Sequence, residues 1–324
     1  MRFKDQVARF SEKMGLINLL GRVLRPKANQ AAILVYHRIG ANGNPAFSGL
    51  PQEDFYRQIS WLKQNCDVVS LTQLTADVQA GRDLRGKIAL TFDDGYADFF
   101  RFAFPILHAY NLPATVFVTV DFLNGQIPWF DKLRYMLFQT RIPRLEFPAN
   151  GGMARFPLQN GAERLAAYRI LKRVLGGQPP AERRRCLLDL QVLLQIEDFL
   201  PLVGSTMSWE QVQLVSKAGI DIGGHTLTHP FLSEIGPEEQ QREISLCKQQ
   251  LEYALGREVR HFCYPTGKAE DFDGAVENMV RAAGFQSACS SEIGYVQPGD
   301  PPFRLKRLYT TEPYLAKFVW RLPA

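Results

Sequence analysis

The chain has 324 residues, 46% of them hydrophobic and 22% charged, which is the composition of an ordinary folded domain and excludes a disordered or fibrous protein. Five scattered cysteines with no Cys-x-x-Cys pair exclude a thiolate zinc site and a disulfide scaffold, and fit a reducing compartment. The net charge of +5 is unevenly spread: residues 1–30 hold seven Lys/Arg against Asp5 and Glu12, and residues 124–205 hold twelve against seven acids, which leaves an acidic centre and argues against a nucleic-acid partner.

In chain order, residues 6–24 place Val7, Phe10, Met14, Ile17, Leu20 and Val23 at helical spacing among basic residues. This is a basic amphipathic helix within segment 1–30, docked on the domain or lying on an anionic membrane surface, and ended by Pro26. The segment has no continuous apolar core of signal-peptide length, and no stretch approaches the ~20 apolar residues of a membrane span. The expectation is a cytoplasmic protein with peripheral contact at the inner face of the membrane.

Short apolar runs then alternate with helical patterns over 31–324. Ala32–Tyr36 ends at His37, Ile88–Phe92 at Asp93-Asp94-Gly95, Ala114–Val118 near Asp121, Gly219–Ile222 at Gly223-Gly224-His225, and His261–Tyr264 at Pro265. Helical patterns cover 52–64, 97–110, 208–217, 237–255 and 273–283. This alternation predicts an α/β fold with a mainly parallel sheet, and in a (β/α) barrel functional side chains gather at the C-terminal strand ends. Residues 124–205 break the rhythm with helical patterns at about 162–175 and 181–199. They are expected to form a helical insertion at the barrel mouth, with no catalytic-type cluster.

Two adjacent carboxylates in Thr91-Phe92-Asp93-Asp94-Gly95-Tyr96 repel each other unless a cation or hydrogen bonds compensate; the plainer alternative is a solvated turn with Asp94 capping the next helix. His225-Thr226-Leu227-Thr228-His229 sets two imidazoles four residues apart, able to share one ion or simply to lie on the surface. Together they offer one Asp and two His with positions left open, as a catalytic metal requires. The second Asp is then free to take a proton from a water that the ion activates. His108 is explained by packing with Phe104, Leu107 and Tyr110, and His261 carries no assignment.

These segments, with Phe262-Cys263-Tyr264-Pro265-Thr266-Gly267, resemble the motifs of the polysaccharide deacetylase (NodB homology, carbohydrate esterase 4) family in order and separation, over roughly 31–310. The resemblance implies a distorted (β/α) barrel of about seven parallel strands and metal-dependent removal of N-acetyl groups from amino sugars. It implies Asp93 as general base, Asp94, His225 and His229 as ligands of a divalent metal (zinc first, then cobalt, nickel or manganese), and an oxyanion-stabilising N–H at Thr266 after Pro265. Two features depart from the family. The arginine expected two residues before the motif's proline is Cys263, and no histidine follows His261 to protonate the leaving amine. Val35-Tyr36-His37-Arg38 resembles the poly-N-acetylglucosamine deacetylase branch, which implies His37 as general acid, with a core histidine as the plainer alternative. Arg307 resembles a late arginine of that branch and is a candidate partner for Asp93, against the default of a surface arginine. Tyr96, Trp129 and Tyr264 are candidate sugar platforms. The expected partner is an N-acetylated glycan or a lipid-linked amino sugar. The departures also motivate a different class, a catalytically impaired carbohydrate- or lipid-binding protein that keeps the metal pocket. Asp/His ligation by itself leaves room for a hydrolase of another acyl or phosphoryl bond.

Overall fold

The computed structural model describes Val7, Ala8, Glu12, Ile17 and residues 28–40, 49–149, 152–310, 312 and 314–323. Its strands are β1 (Ala32–Tyr36), β2 (Asp67–Val68), β3 (Lys87–Phe92), β4 (Thr115–Val118), β5 (Arg144–Ala149), β6 (Gly152–Pro157), β7 (Asp221–Gly224), β8 (His261–Cys263), β9 (Ser287–Ile293) and β10 (Leu305–Tyr309). Around them lie α1 (Gln52–Asn65), α2 (Leu71–Gln79), α3 (Phe104–Ala109), α4 (Val120–Leu123), α5 (Trp129–Gln139), α6 (Gly161–Gly176), α7 (Pro180–Leu193), α8 (Trp209–Lys217), α9 (Pro237–Leu255), α10 (Gly274–Ala282) and α11 (Leu315–Trp320).

Seven strands close into a parallel ring in the order β1-β10-β9-β8-β7-β4-β3, with β3 pairing back onto β1 and β2 hanging outside on β3. Alternation along each strand separates two faces. Leu34, Leu90, Val116, Ile222, Phe262 and Leu308 join the large cluster under the helices. Their neighbours Ile33, Ala89, Phe117, Cys263, Cys289 and Leu305 form a smaller interior cluster, which Leu71, Leu74 and Val78 of α2 close at the N-terminal strand ends. The interior is tight: a Cβ on Gly223 would lie 2.4 Å from Phe117 Cδ1 and 2.9 Å from the His261 carbonyl oxygen. His261 is wholly buried there, its ring nitrogens 2.8 Å from the Thr72 and Ser287 hydroxyls, so it is structural.

Several expected elements differ in detail. The helix expected over 97–110 begins as a π-helical turn, Phe99–Ala103, and Gly223 and Gly224 lie inside β7. The insertion is not helical alone, because β5 and β6 pair as an antiparallel hairpin between α5 and α6. The insertion has its own apolar core, in which Leu133, Leu137, Phe147, Phe156, Leu171 and Leu190 pack with Tyr96, Phe122 and Phe231 from the barrel side. Of the N-terminal stripe, Phe10, Met14, Leu20 and Val23 lie outside the described residues, as does Pro26. Ala8 is buried, Ile17 packs on the main core, and Glu12 accepts hydrogen bonds from Arg57 and the Ala316 N–H. Among the described residues no helix is long and apolar enough to cross a membrane.

Candidate active site

Strand parity builds the site. The inward positions Ala89 and Thr91 lead to Asp93, Gly223 leads to His225, and Val35 leads to His37, all at C-terminal strand ends. Asp93, Asp94, His225 and His229 are buried, whereas the His37 side chain is 43% exposed. These five residues and Thr266 line one cavity of about 370 Å³. The core-histidine alternative for His37 therefore does not hold. Its ring stands at the rim, parallel to Tyr309 with centroids 6.4 Å apart, and its Nε2 is 3.8 Å from Asp93 Oδ2.

The backbone is forced at the same place. Asp94, Thr226, His229 and Thr266 adopt φ of 72°, 66°, 59° and 56°, a region costing non-glycine residues on the order of 1–2 kcal/mol each. The surroundings hold these conformations. Glu243 of α9, wholly buried, accepts the Leu227 N–H (2.8 Å), the Thr228 N–H (2.9 Å) and the Thr228 hydroxyl (2.6 Å). Asp271, also buried, accepts the Thr266 hydroxyl (2.7 Å) and the Lys268 N–H (3.0 Å).

Asp94 Oδ1 is buried with no hydrogen-bond partner, yet His225 Nε2 and His229 Nε2 face it at 3.5 and 3.3 Å. His225 Nδ1 is 2.7 Å from the Cys263 carbonyl, which can only accept, so in the neutral ring Nε2 presents a lone pair to the carboxylate. Burial pushes His229 down to about 4 despite Asp94, leaving that ring neutral. At His225 burial is outweighed by Cys263 and Asp94, which raise it, so that ring gives up a proton when it ligates an ion. With both rings neutral, lone pairs converging at such distances call for a cation between them: a proton on His225 when the site stands alone, a metal ion when one is bound. In a tetrahedral site with bonds of about 2.0–2.1 Å, neighbouring ligand atoms lie about 3.3–3.4 Å apart, close to the 3.5 and 3.3 Å that separate Asp94 Oδ1 from the two ring nitrogens. The residues therefore fit a divalent ion. A second grouping, Asp93, His225 and Cys263, fits one poorly, because burial pushes the Cys263 thiol up to about 11 and Asp93 is engaged elsewhere.

That engagement is Arg307. It is 1% exposed, not a surface residue, and it forks onto Asp93 with Nη1–Oδ1 and Nη2–Oδ2 both at 2.8 Å. Its Nε donates to the Ser290 carbonyl (2.7 Å), and Nη2 lies 3.1 Å from Cys263 Sγ. The guanidinium that the third motif lacks thus arrives from β10, across the space that Cys263 leaves. Burial favours the neutral acid, but the Arg307 charge outweighs it and holds the Asp93 carboxyl below the usual range. The alternative of Asp94 as a helix cap in a solvated turn also fails, since Asp94 is buried and the N-cap position of the helical turn that follows is Asp98.

Other expected positions do not reach the cavity. Tyr264 is fully buried, stacked 3.9 Å from Phe272 with its hydroxyl on the Phe303 carbonyl, and Pro265 is buried behind Thr266. Trp129 is also buried and donates Nε1–H to the His229 carbonyl at 3.0 Å. Neither Tyr264 nor Trp129 is a sugar platform. Tyr96 does line the cavity, with its hydroxyl donating to Asp131 (3.0 Å), and Phe130, Tyr168 and Tyr309 join it. The expectation that the insertion lacks site residues is corrected as well: Phe130, Asp131 and Arg134 from α5, and Tyr168 and Lys172 from α6, wall the cavity. Their i, i+4 spacing (Phe130 with Arg134, Tyr168 with Lys172) was the available signal. Asp131 takes Arg38 at 3.6 Å, and burial raises its carboxyl to about 6 against that pairing.

The polysaccharide deacetylase family's sequence profile matches residues 80–137 and 188–288 of this seven-strand parallel barrel, on either side of most of the insertion. The chain contains a domain of that family. It is 33% identical over 95 residues to YxkH of Bacillus subtilis (strain 168), covering 28% of this chain and 33% of that protein. It is 42% identical over 59 residues to the poly-β-1,6-N-acetyl-D-glucosamine N-deacetylase of Escherichia coli (strain K12), covering 18% of this chain and 9% of that protein. The matches thus span a third or less of these relatives. In fold it is similar to the deacetylase PplD of Streptococcus pyogenes (TM-score 0.60, 16% identity, 91% of this chain and 99% of that one). It is also similar to IcaB from Ammonifex degensii (TM-score 0.56, 19% identity, 91% and 99%).

Proposed function

We propose that the chain is a metal-dependent hydrolase that removes the N-acetyl group from an amino sugar in a glycan or glycolipid. The observation that carries this is the pairing, in one cavity, of an Asp93 ionised by Arg307 with an unsatisfied Asp94–His225–His229 cluster. A divalent ion, zinc by the donor set, would supply Lewis acidity to the amide carbonyl and to the attacking water. Asp93 takes the proton from that water as its oxygen adds to the acetamide carbon. The Thr266 N–H, at the cavity wall and bonded to no described residue, is the donor for the carbonyl oxygen as it gains charge. His37, beside Asp93 on the rim, gives a proton to the nitrogen as the C–N bond breaks, which releases acetate and a free amine.

We also propose a cytoplasmic location, and the basic charge of residues 1–30 supports peripheral contact there with an anionic membrane face. Co-sedimentation with anionic vesicles at low salt, lost at high salt, checks it, and no binding at low salt removes it.

The test is acetate release by zinc- or cobalt-loaded protein from N-acetylated amino sugars, with metal content and melting temperature read alongside. Zinc should raise the melting temperature. Asp94→Asn should abolish both binding and the rise, and Asp93→Asn should keep the metal while losing on the order of 10²–10⁴ in kcat. Wild type that binds zinc yet releases no acetate from any acylated amino sugar refutes the proposal.

A further inference from the structure

Every carboxylate that lines the cavity is already committed. Asp93 is forked by Arg307, Asp94 belongs to the histidine cluster, and Asp131 holds Arg38 and the Tyr96 hydroxyl. Arg134 and Lys172 face the same cavity with no ion pair to any described residue. Both are half-buried and held by rings: the Arg134 guanidinium lies 5.5 Å from the Tyr168 ring centroid, and Lys172 Nζ lies 5.2 Å from that of Phe130. Arg134 Nε is wholly buried and unpartnered.

Two partly desolvated cations with no ion pair among the described residues are costly to hold in the wall, even with Asp94, Asp131 and Asp271 attracting Lys172 at longer range, and a divalent ion at the histidine cluster would add to the same sign. The surplus is suited to an anion that arrives with the substrate. A rigid guanidinium fork beside a mobile ammonium suits the several oxygens of a phosphoryl group. Both cations come from the insertion, one from α5 and one from α6, whereas the groups proposed for the chemistry come from barrel strand ends. The insertion therefore has the character of a recognition wall added to a generic deacetylating centre.

We propose that the cavity takes an N-acetylhexosamine carrying a phosphate ester, with Arg134 and Lys172 binding the phosphoryl oxygens while the acetamido group faces Asp93 and the Asp94–His225–His229 cluster. This rests on the deacetylase proposal above and names its substrate class. The test separates the two by measuring binding apart from turnover. Zinc-loaded Asp93→Asn protein is titrated calorimetrically with N-acetylglucosamine 1-phosphate, UDP-N-acetylglucosamine, an isoprenoid-diphosphate-linked N-acetylglucosamine in detergent, and neutral N-acetylglucosamine and its trimer. Wild type is assayed for acetate release on the same five.

Phosphorylated probes should bind roughly ten- to a hundredfold more tightly than the neutral ones. Arg134→Met and Lys172→Met should each remove about tenfold of that gain, and Lys172→Arg should keep most of it. An unchanged melting temperature shows that the variants are folded. Preference for the nucleotide or for the lipid arm identifies the source of the phosphate, and either supports the inference. Equal binding of neutral and phosphorylated probes, or a preference that survives both Met substitutions, overturns it even if acetate is released. Charge-dependent binding with no acetate from any probe upholds this inference and refutes the deacetylase proposal.

Discussion

The barrel and its insertion meet at one cavity but treat charge in opposite ways. On the barrel side, the buried charges outside the Asp94–His225–His229 cluster are matched: Arg307 with Asp93 at 2.8 Å, and Glu243 and Asp271 with the hydrogen bonds that fix the two site loops. On the insertion side, Arg134 and Lys172 stand in the wall with no ion pair among the described residues. The two sides are also mechanically joined. Trp129 and Arg183 hold the His225–His229 loop through the His229 carbonyl and Thr228, and Arg173 braces the Thr266 loop through Asp271 at 2.8 Å. The difference teaches a division of labour in which strand ends pre-organise the reacting groups and the added unit shapes what approaches them.

The largest expected effect breaks the barrel side. Arg307→Gln leaves Asp93 buried without its counter-charge, which should cost about 3–5 kcal/mol of stability by urea titration. The sign for pH follows from the balance on Asp93. Burial alone raises its pKa and Arg307 lowers it, so without Arg307 the acid limb of kcat/KM should move to higher pH. Arg307→Lys, which keeps charge but not the fork, should fall between. An unmoved acid limb in Arg307→Gln would show that Asp93 is not the titrating base.

Next in size is a cut at the joint. A Cβ on Gly176 of α6 would lie 1.8 Å from the Phe231 ring, and the Phe231 N–H donates to the Gly176 carbonyl. Gly176→Ala should force α6 off the barrel at a cost of about 1–3 kcal/mol. Proteolysis within 138–205 should quicken and kcat/KM should drop about tenfold, with zinc stoichiometry kept. Loss of zinc together with activity would mean that the insertion is needed to form the metal site itself.

Much of the barrel side was legible in the sequence because its signals are local. Apolar runs of five residues stopping at Asp-Asp-Gly or at His mark strand ends, and these stops bring Asp93, Asp94, His225 and His229 together. What escaped depends on long-range closure. β9 (SACSSEI) and β10 (LKRLY) carry Ser, Cys and Arg on the interior face, where apolar alternation would be the usual signature, so neither read as a strand. The partnership of Arg307 with Asp93 spans 214 residues and follows from ring closure, not from spacing. Tyr264 was misplaced for a related reason: at the end of β8 its parity turns it to the outer face against Phe272, while Cys263 faces in. The insertion's share of the site stayed hidden because an arginine on an amphipathic helix reads as solvated until the surface opposite it is known.

The smallest expected effect sharpens the comparison most, because it asks whether the insertion touches the chemistry or only the approach to it. Trp129→Phe removes one N–H···O bond to the His229 carbonyl and keeps most of the ring packing. A neutral hydrogen bond of this kind is worth about 1 kcal/mol net. If the bond holds His229 in its left-handed conformation at φ 59°, that strain is relieved in the metal-free variant, and zinc affinity measured by chelator competition should weaken about fivefold. The preference for phosphorylated over neutral probes should not change, because Trp129 lies outside the Arg134 and Lys172 wall. A shift in that preference with zinc affinity untouched would reverse the assignment: α5 would then govern recognition throughout its length, and the His225–His229 loop would owe its geometry to Glu243 and Arg183 alone.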